Sequence, residues 1–314
     1  MQSLPATPAT IADLARVLRA GGLVAFPTET VYGLGADATN SEAVLSIYET
    51  KGRPRFNPLI VHCADMAMAE QLAEFSPLAR RLATLWPGPL TLVLPKKPNA
   101  ALSDLVTAGL DTVGIRIPAH PLALELIAQT GRPLAAPSAN PSGRLSPTTA
   151  AQVIAGLGGK VPVLEGGACK AGLESTILKV DGDAVIQLRA GAMSRAELES
   201  MLERPIASAQ PNSAIVAPGM MASHYAPRAR MRLNALAPNA GEAFLAFGAP
   251  PEKASGPVSN LSEAGDLREA ARNLFAMLHE LDATGATSIA VAPVPHTGLG
   301  EAINDRLARA AAPR

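Results

Sequence analysis

Hydrophobic and polar positions alternate along the chain with two different periods. In residues 10–20 the apolar side chains recur with the spacing of one helical face, and Thr10 can cap that helix. The run LVAF at 23–26 follows two glycines and has the length and composition of a buried strand. The same succession of helices and short apolar strands continues to residue 204, which predicts an α/β sheet.

The remaining elements of this part follow from the same periodicity. Further helices are predicted near residues 41–51, 66–73, 77–85, 148–156 and 194–203. Further strands are predicted at 58–62, 90–95, 113–118, 134–137, 161–165, 174–180 and 184–189. At the start of the last helix, Ser194 and Glu197 have the spacing of a capping box.

Residues 205–223 interrupt the rhythm with three prolines and several small polar residues, a composition typical of a linker. Beyond it the pattern predicts two strands and two helices, at 243–248, 267–281, 288–295 and 300–312. Their order fits a small, doubly wound, Rossmann-like α/β domain. The predicted organisation is an α/β domain up to residue 204, a linker and a smaller α/β domain.

Composition and charge narrow the class of protein. Of the 314 residues, 48% are hydrophobic and 17% are charged, so the chain can bury cores and is not a disordered tail. Lys+Arg and Asp+Glu are both 27. This balance argues against a protein held on nucleic acid mainly by bulk charge, although a local basic patch is compatible with it.

The spacing of the cysteines and the length of the apolar runs argue against further classes of protein. Cys63 and Cys169 have no CxxC spacing, which argues against a disulfide scaffold and against a thiolate zinc site. No apolar run approaches the roughly 18 residues of a membrane span. The first ten residues lack the basic start and apolar core of a secretory signal, so a cytoplasmic protein without a membrane segment is expected.

A first candidate loop, PTETVYGLG at 27–35, directly follows the predicted strand at 23–26. It holds three hydroxyls, a carboxylate and two glycines, which allow close backbone approach and can position a polar ligand. Strand ends in open α/β sheets are also where ligands bind. Taken alone, an ordinary strand-to-helix turn explains the loop equally well.

A second candidate loop, KGRPRFNP at 51–58, contains three cations within five residues and two prolines. Arginine offers phosphate a bidentate fork, and lysine offers it a point charge. A solvated basic loop is the ordinary alternative. The stiff backbone favours a focused anion site instead. His62, on the strand that follows, is by itself more typical of a partly buried structural histidine.

A third candidate loop, PSANPSG at 137–143, offers uncharged donors and acceptors that suit ribose, a base edge or phosphate, although alone it resembles a simple turn. Arg116 and Arg189 lie in apolar strands. Because a lone buried charge is very costly, each needs a partner or a ligand, and the two would suit one anionic ligand.

Standard nucleotide-binding loops are missing from the sequence. There is no GxxxxGKS or GxxxxGKT motif, and the glycine clusters at 33–37 and 298–302 do not complete GxGxxG. If the chain handles ATP, it does so through the Lys, Arg and Ser constellation. Phosphate chemistry would then depend on positioning and charge neutralisation, with Mg²⁺.

Taken together and in order, these segments resemble the YrdC-like family, the threonylcarbamoyl-AMP synthases. The resemblance is carried by FPTETVYGLG, YETKGRPRFNPLIVH, PSANPSG and LESTI, and it covers residues 8–204. PGMMASHYAP at 218–227 and the small domain after it resemble the longer, two-domain form of the enzyme, with a looser match.

The resemblance implies a nucleotidyltransferase reaction in which L-threonine, bicarbonate or CO₂, and ATP give threonylcarbamoyl-AMP and pyrophosphate. The product would pass to a separate transferase complex, which modifies the adenosine beside the anticodon of ANN-reading tRNAs. Contact of this chain with RNA would be weak or transient. The implied first domain is a twisted, mixed α/β sheet around a large basic cavity. The implied organisation is this domain at 8–204, an extended linker at 205–228 and the small, Rossmann-like C-terminal domain at 229–314.

The resemblance also implies roles for residues. Lys51 and Arg53, with Mg²⁺, are the implied electrostatic catalysts, and no metal ligand is expected from protein side chains. The implied ATP-binding residues are Lys51, Arg53, Asn57, Thr112, Ser138, Asn140, Ser146, Arg189 and Tyr225. The implied threonine-binding residues are Thr30, His62, Arg116, the backbone near Ala136, and Ser175, with Arg116 the natural partner of the threonine carboxylate.

His224 and Tyr225 gain a role from the same resemblance. They would reach over the mouth of the first domain as a lid, with Tyr225 near the nucleotide. Exclusion of water suits a labile carbamate intermediate. A plain tether is the alternative interpretation of this segment.

Two other functions stay open. The KGRPR loop and a concave surface can instead grip double-stranded RNA or tRNA, in a binding module without adenylation activity, although the zero net charge counts against it. The third hypothesis is a carbamoyltransferase accessory domain, as in hydrogenase maturation factors. The chain lacks the acylphosphatase and zinc-finger regions that those proteins carry.

Overall fold

The structure is a computed structural model that describes residues 2–210, 217–219, 223–249 and 255–313. The helices in these residues are α1 (Pro8–Arg19), α2 (Ser41–Lys51), α3 (Met66–Leu72), α4 (Pro77–Ala83), α5 (Asp104–Thr107), α6 (Pro121–Thr130), α7 (Ala150–Leu157), α8 (Arg195–Leu202), α9 (Leu267–Ala283) and α10 (Gly300–Ala311). Across the described ranges, no helix combines the length and the apolar character needed to cross a membrane.

The strands belong to two sheets. They are β1 (Val24–Phe26), β2 (Gly33–Asp37), β3 (Ile60–His62), β4 (Leu90–Pro95), β5 (Thr112–Arg116), β6 (Leu134–Ala135), β7 (Thr176–Asp181), β8 (Ala184–Arg189), β9 (Ala207–Ser208), β10 (Arg230–Arg232), β11 (Ala243–Ala246), β12 (Val258–Asn260) and β13 (Ser288–Val291).

Helix ends follow local sequence signals. Asn40 accepts hydrogen bonds from two backbone N–H groups in the first turn of α2, and Gly52 ends that helix in the left-handed conformation. The capping box of Ser194 and Glu197 is present at the start of α8. These signals fix where the second candidate loop begins, directly after α2.

A nine-stranded mixed sheet forms the larger part of the fold, with the strand order β1-β2-β6-β3-β5-β4-β7-β8-β9. The pairs β3–β5, β4–β7 and β8–β9 are parallel, and the other neighbours are antiparallel. The predicted mixed-sheet α/β domain is therefore confirmed.

This sheet brings its polar strand ends together. β3 and β5 run in a register that pairs His62 with Arg116. β7 and β8 pair Ile177 with Arg189, next to Ser175. Only β4 separates the pair β3–β5 from the pair β7–β8, so His62, Arg116 and Arg189 lie close together in the middle of the sheet.

A second sheet has four parallel strands in the order β10-β13-β11-β12. Helices α9 and α10 pack on each other and on the sheet face that carries Leu245 and Ile289. The opposite face carries Phe244, Ala246 and Ala290, in a cluster to which no described helix contributes. The Rossmann-like domain is present, but its described helices cover one face rather than the two faces of a doubly wound sheet.

Two segments of the first sheet differ from the sequence prediction. Residues 161–165 form only isolated bridges, because Pro162 has no N–H to donate to a ladder. Residues 33–37 form β2, which pairs with β1 in an antiparallel hairpin. The first candidate loop therefore connects two strands and not a strand and a helix.

Helix α6 is missing from the sequence prediction, although its signal is present. Pro121 stands at its first position, and Ala123, Leu126 and Ile127 are buried with helical spacing. α6 packs against α1 and covers the outer part of the sheet. Four residues separate it from the end of β5, where Arg116 lies.

The predicted linker at 205–228 contributes one strand to the first sheet, since β9 pairs with β8. Its residues 211–216 and 220–222 lie outside the described residues. The domain bounds of 8–204, 205–228 and 229–314 stay predictions.

Gly172 lies where the connection to β7 meets helix α9. Its φ is +70°, and a Cβ at this position would overlap the backbone of Arg272. Gly182, in the turn between β7 and β8, also has a positive φ of +57°, but the space around it is open. The two glycines therefore share a backbone conformation and differ in their surroundings.

We expect Gly172→Ala to lower the free energy of unfolding more than Gly182→Ala does. The control substitution carries only the cost of the left-handed backbone, about 1–2 kcal/mol. Gly172→Ala adds an overlap with α9 that costs roughly 1–3 kcal/mol. Urea unfolding of both variants beside the wild type measures the difference, and equal losses would contradict close packing at Gly172.

Candidate active site

A pocket opens at the strand ends of the first sheet. It brings together residues predicted separately from the three loops, the strands and the linker. The predicted site residues on its wall are Thr30, Arg53, His62, Arg116, Ala136, Ser138, Ser175, Arg189, His224 and Tyr225. Spatial convergence therefore supports treating these segments as one site.

The other predicted residues lie beside this pocket. Thr112 lines a narrow neighbouring cleft, together with apolar side chains such as Val93 and Ile177. The four that remain are buried and are not on the wall of the pocket: Lys51, Asn57, Asn140 and Ser146. Their predicted roles in ATP binding stay predictions.

The wall also includes residues to which sequence reasoning assigned no role. Thr28 and Glu174 belong to the PTET and LEST segments, so their segments carried the signal. Gly219 has a φ of +88°, and a Cβ there would come within 2.6 Å of Arg189 Cδ and 3.0 Å of the Tyr225 hydroxyl oxygen. No sequence pattern identified that close approach.

Lys51 joins the second loop to the third. Its Nζ donates to the carbonyl oxygen of Ser138 at 2.6 Å and also to that of Asn140. The Ser142 N–H donates in turn to the Lys51 carbonyl oxygen at 2.8 Å. Burial, and then the positive charge of Arg53, hold the pKa of Lys51 well below its usual value.

Arg53 and Arg189 also use backbone carbonyls as acceptors. Arg53 Nη2 donates to the Pro58 oxygen at 2.9 Å, and Arg189 Nη2 donates to the Ser175 oxygen at 2.8 Å. Burial is the main cause that lowers the pKa of Arg53 to about 10. Because carbonyl dipoles do not neutralise a full charge, the pocket between these arginines attracts anions.

Arg116, on the wall of the pocket, pairs with the buried carboxylate of Glu29. The two form an ion pair of 2.7 Å, and both side chains are almost fully buried. The pair lacks hydrogen-bond geometry, since Arg116 Nη2 and both Glu29 carboxylate oxygens have no hydrogen-bond partner among the described residues. The guanidinium fork therefore retains donors for another carboxylate.

The two buried histidines of the pocket present opposite chemistry. The pKa of each is lowered to about 3, mainly by burial, so both imidazoles are neutral at physiological pH. His62 Nδ1 lies 3.3 Å from the Ile60 carbonyl oxygen, which places the proton on Nδ1 and leaves Nε2 an acceptor. His224 Nδ1 instead accepts from the Tyr225 N–H at 2.8 Å, which makes its Nε2 a donor.

Tyr225 closes one side of the pocket. Its side chain is only 2% exposed, and its backbone is in the left-handed region, with a φ of +62°. A non-glycine residue takes this conformation at a cost, so surrounding contacts must hold it. Burial raises the pKa of its phenol, which keeps the hydroxyl protonated.

The described residues contain no group of three or more His, Cys, Asp or Glu side chains that could hold a metal ion. The two carboxylates at the site, Glu29 and Glu174, are each paired with an arginine. These residues therefore fit an ion that arrives on a substrate better than one bound by the protein alone.

Comparison with known proteins agrees with this geometry. Residues 16–191 match the family model Sua5_yciO_yrdC, described as "Telomere recombination". Residues 193–312 match the model described as "Threonylcarbamoyl-AMP synthase, C-terminal domain". The second match covers α8, α9, α10 and the four-stranded sheet.

Individual relatives match over almost the whole chain. The threonylcarbamoyl-AMP synthase of Bacillus subtilis is 41% identical, over 97% of this chain and 93% of the relative. That of Pyrococcus abyssi is 40% identical, over 93% and 91%. The crystal structure of P. abyssi Sua5 complexed with L-threonine superposes with a TM-score of 0.91 at 37% identity, and covers 99% of this chain and 98% of that one.

The fold and the cationic pocket define the class as a YrdC-like nucleotidyltransferase with a second C-terminal domain. The chain belongs to the threonylcarbamoyl-AMP synthase family, in its two-domain form. The predicted resemblance is thereby confirmed, whereas the role of each site residue stays a prediction.

His62 makes stability depend on pH. Its folded-state pKa of about 3 lies below the usual value of about 6.5 for the unfolded chain, so between these values the unfolded chain binds more protons. Stability is therefore lost as the pH falls through this window. At pH 5 the loss due to this one histidine is about 2 kcal/mol.

We expect His62→Gln to lose less stability than the wild type between pH 7 and pH 5, by about 2 kcal/mol. The control, His296→Gln, changes an exposed histidine and should keep the wild-type dependence. Urea unfolding at the two pH values measures both variants. An unchanged pH dependence in His62→Gln would contradict a buried neutral imidazole.

Proposed function

We propose that the chain is an L-threonylcarbamoyladenylate synthase, which converts L-threonine, bicarbonate or CO₂, and ATP into threonylcarbamoyl-AMP and pyrophosphate. The observation that carries the proposal is the buried positive charge of Arg53, Arg116 and Arg189 around one pocket. An amino-acid carboxylate and a triphosphate together supply the anions that such a pocket requires. Family membership over nearly the full chain supports the same reaction.

The threonine end of the site is assigned to the strand ends around Arg116. The Arg116 fork would bind the substrate carboxylate, and Nε2 of His62 would accept a hydrogen bond from the threonine hydroxyl or amine. Thr30, Ser175 and the backbone near Ala136 lie on the same wall and complete the proposed contacts. L-threonine in the related P. abyssi structure supports an amino-acid substrate.

The nucleotide end is assigned to the second and third loops. Arg53 and Lys51 would stabilise the negative charge that develops when the carbamate oxygen attacks the α-phosphorus and pyrophosphate leaves. Asn57, Thr112, Ser138, Asn140, Ser146 and Arg189 would contact the remainder of the nucleotide, with Tyr225 at its side. No nucleophilic side chain is required, since the attacking oxygen comes from the substrate.

Water exclusion is the proposed role of His224 and Tyr225. Both side chains are buried against the pocket, as a lid residue must be when the site is closed. A carbamate decomposes in water, so a closed wall would protect the intermediate until adenylation. A tether without this role is the alternative.

Cofactor, partners and location complete the proposal. Mg²⁺ would enter on the ATP phosphates and neutralise part of their charge. The product would pass to a tRNA threonylcarbamoyl transferase complex, with at most weak or transient contact between this chain and RNA. The cytoplasm, where tRNA and ATP are available, is the proposed location.

A double-stranded RNA or tRNA-binding module accounts less well for the site. Arg53, Arg116 and Arg189 are each less than a tenth exposed, and a duplex backbone requires cations on an open surface. The match of the C-terminal part to the synthase model also favours the synthase over a carbamoyltransferase accessory domain.

The wild-type protein is expected to exchange labelled pyrophosphate into ATP only when both L-threonine and bicarbonate are present. Omitting either substrate should reduce the exchange to background, because the carbamate forms before the adenylate. Serine in place of threonine measures amino-acid selectivity. No exchange with any amino acid would contradict the synthase, and salt-sensitive binding of tRNA in its absence would favour the RNA-binding module.

Arg116→Lys is expected to raise the KM for threonine at least tenfold and to change the KM for ATP less than threefold. Lysine keeps the charge but loses the bidentate fork, at a cost of about 1.5–3 kcal/mol. Arg80→Lys, at an exposed surface ion pair, is the matched control and should behave as the wild type. Equal rises in both KM values would contradict the assignment of Arg116 to the threonine carboxylate.

A further inference from the structure

We propose that Arg306, on helix α10 of the C-terminal part, is a positioning residue for the nucleotide end of the active site. The inference deepens the proposed function and depends on it for the identity of the nucleotide. Arg306 lies behind the pocket wall rather than on it. Its effect would pass through the two wall residues that it contacts.

The guanidinium of Arg306 is buried between the C-terminal part and the first domain. Its side chain is 1% exposed, the largest fully buried side chain in the described residues. Nε donates to Glu174 Oε2 at 2.9 Å, and Nη2 donates to the Ala190 carbonyl oxygen at 2.9 Å. Nη1 donates to Asp305 Oδ2 at 2.5 Å, so all three nitrogens of the guanidinium have acceptors.

Glu174 carries this contact into the site. While Oε2 accepts from Arg306, Oε1 accepts from Ser146 Oγ at 2.5 Å, and Glu174 itself lines the pocket. Burial alone would raise the pKa of Glu174, but the guanidinium groups of Arg306 and Arg189 more than offset it and leave the pKa below its usual value. An ionised Glu174 therefore orients the hydroxyl of Ser146, one of the predicted ATP contacts.

Tyr225 is the second wall residue that Arg306 holds. The Arg306 guanidinium carbon lies 4.9 Å from the centroid of the Tyr225 ring, within the range of a cation–π contact. Helix α10 also anchors the neighbouring residue, since the His224 N–H donates to the Arg309 carbonyl oxygen at 3.2 Å. Because the backbone of Tyr225 is left-handed, these contacts help to hold a conformation that the chain does not favour locally.

Arginine is the side chain that suits both contacts at once. Its N–H groups donate to Glu174 and to two further acceptors, while its guanidinium carbon lies over the tyrosine ring. Removal of the guanidinium would leave Glu174 as a buried charge without its partner on α10, which is strongly unfavourable. Glu174 and Ser146 would then reorganise, together with the ring of Tyr225.

The experiment compares Arg306→Met with Arg195→Met. Arg195 pairs with Glu301 at 2.8 Å and so joins α8 to the same helix α10, but away from the pocket. ATP binding is measured by calorimetry, and the KM values for ATP and threonine by pyrophosphate exchange. We expect Arg306→Met to weaken ATP binding at least tenfold and to change the KM for threonine less than threefold, whereas Arg195→Met changes neither more than twofold.

A second pair of variants removes the unpaired buried charge, and therefore keeps the test informative if Arg306→Met does not fold. Glu174→Gln retains an acceptor for Ser146, so Glu174→Gln with Arg306→Met is compared with Glu174→Gln alone. The double variant should bind ATP at least threefold more weakly, since Tyr225 has lost its partner. Arg306→Lys should bind ATP at an affinity between those of the wild type and Arg306→Met.

Three outcomes would overturn the inference. The first is equal ATP affinity in Arg306→Met and Arg195→Met, and the second is equal affinity in Glu174→Gln with and without Arg306. A rise in the KM for threonine as large as the loss of ATP binding would also contradict a role confined to the nucleotide end. Calorimetry reads ATP binding without the reaction, so a wild type that binds ATP but lacks threonine-dependent exchange refutes the proposed function alone.

Discussion

Lys51, Arg53 and Arg189 are each less than a tenth exposed, and each requires hydrogen-bond acceptors that water would otherwise supply. The chain supplies backbone carbonyls instead, from Ser138 to Lys51 and from Ser175 to Arg189. These carbonyls belong to the third loop and to the LEST segment, so the cations fix the loops as much as the loops fix the cations. The need to solvate buried positive charge from the backbone therefore explains why separate segments form one rigid wall.

A backbone carbonyl can accept hydrogen bonds from a buried cation most readily where it is not paired within a sheet or a helix. Proline provides such positions, because it lacks an N–H and ends a strand or helix nearby. Pro58 offers its carbonyl oxygen to Arg53, and Pro137 lies two residues after the end of β6, directly before Ser138. The prolines of the candidate loops thus help to provide the unpaired carbonyl oxygens that the buried cations of these loops require.

Sequence reasoning succeeded where the signal was local. The helix predicted at 41–51 agrees with α2, whose ends Asn40 and Gly52 mark in the sequence. Apolar periodicity predicted an α/β sheet, and the YrdC-like resemblance implied its mixed order. It did not find β2, since GLGAD lacks the β-branched residues of a typical strand and its pairing with β1 depends on a hairpin. Arg306 was assigned no role because Glu174, its partner, lies 132 positions away, and no local pattern encodes that contact.

The excess of positive charge has a further consequence for the energetics of the free protein. The low pKa of Lys51 and the lowered pKa of Arg53 both mean that the folded state resists these charges when no anion is bound. Binding of a triphosphate would compensate these buried charges. Part of the stability that the free protein loses by burying them would then be recovered as free energy of ligand binding. On one side of the pocket, the carboxylate of Glu174 compensates part of the buried positive charge. Glu174 can be buried and ionised because Arg306 pairs with it from behind the pocket wall. The C-terminal helix thus allows a carboxylate to lie beside the proposed nucleotide site without cancelling the positive charge that this site would need.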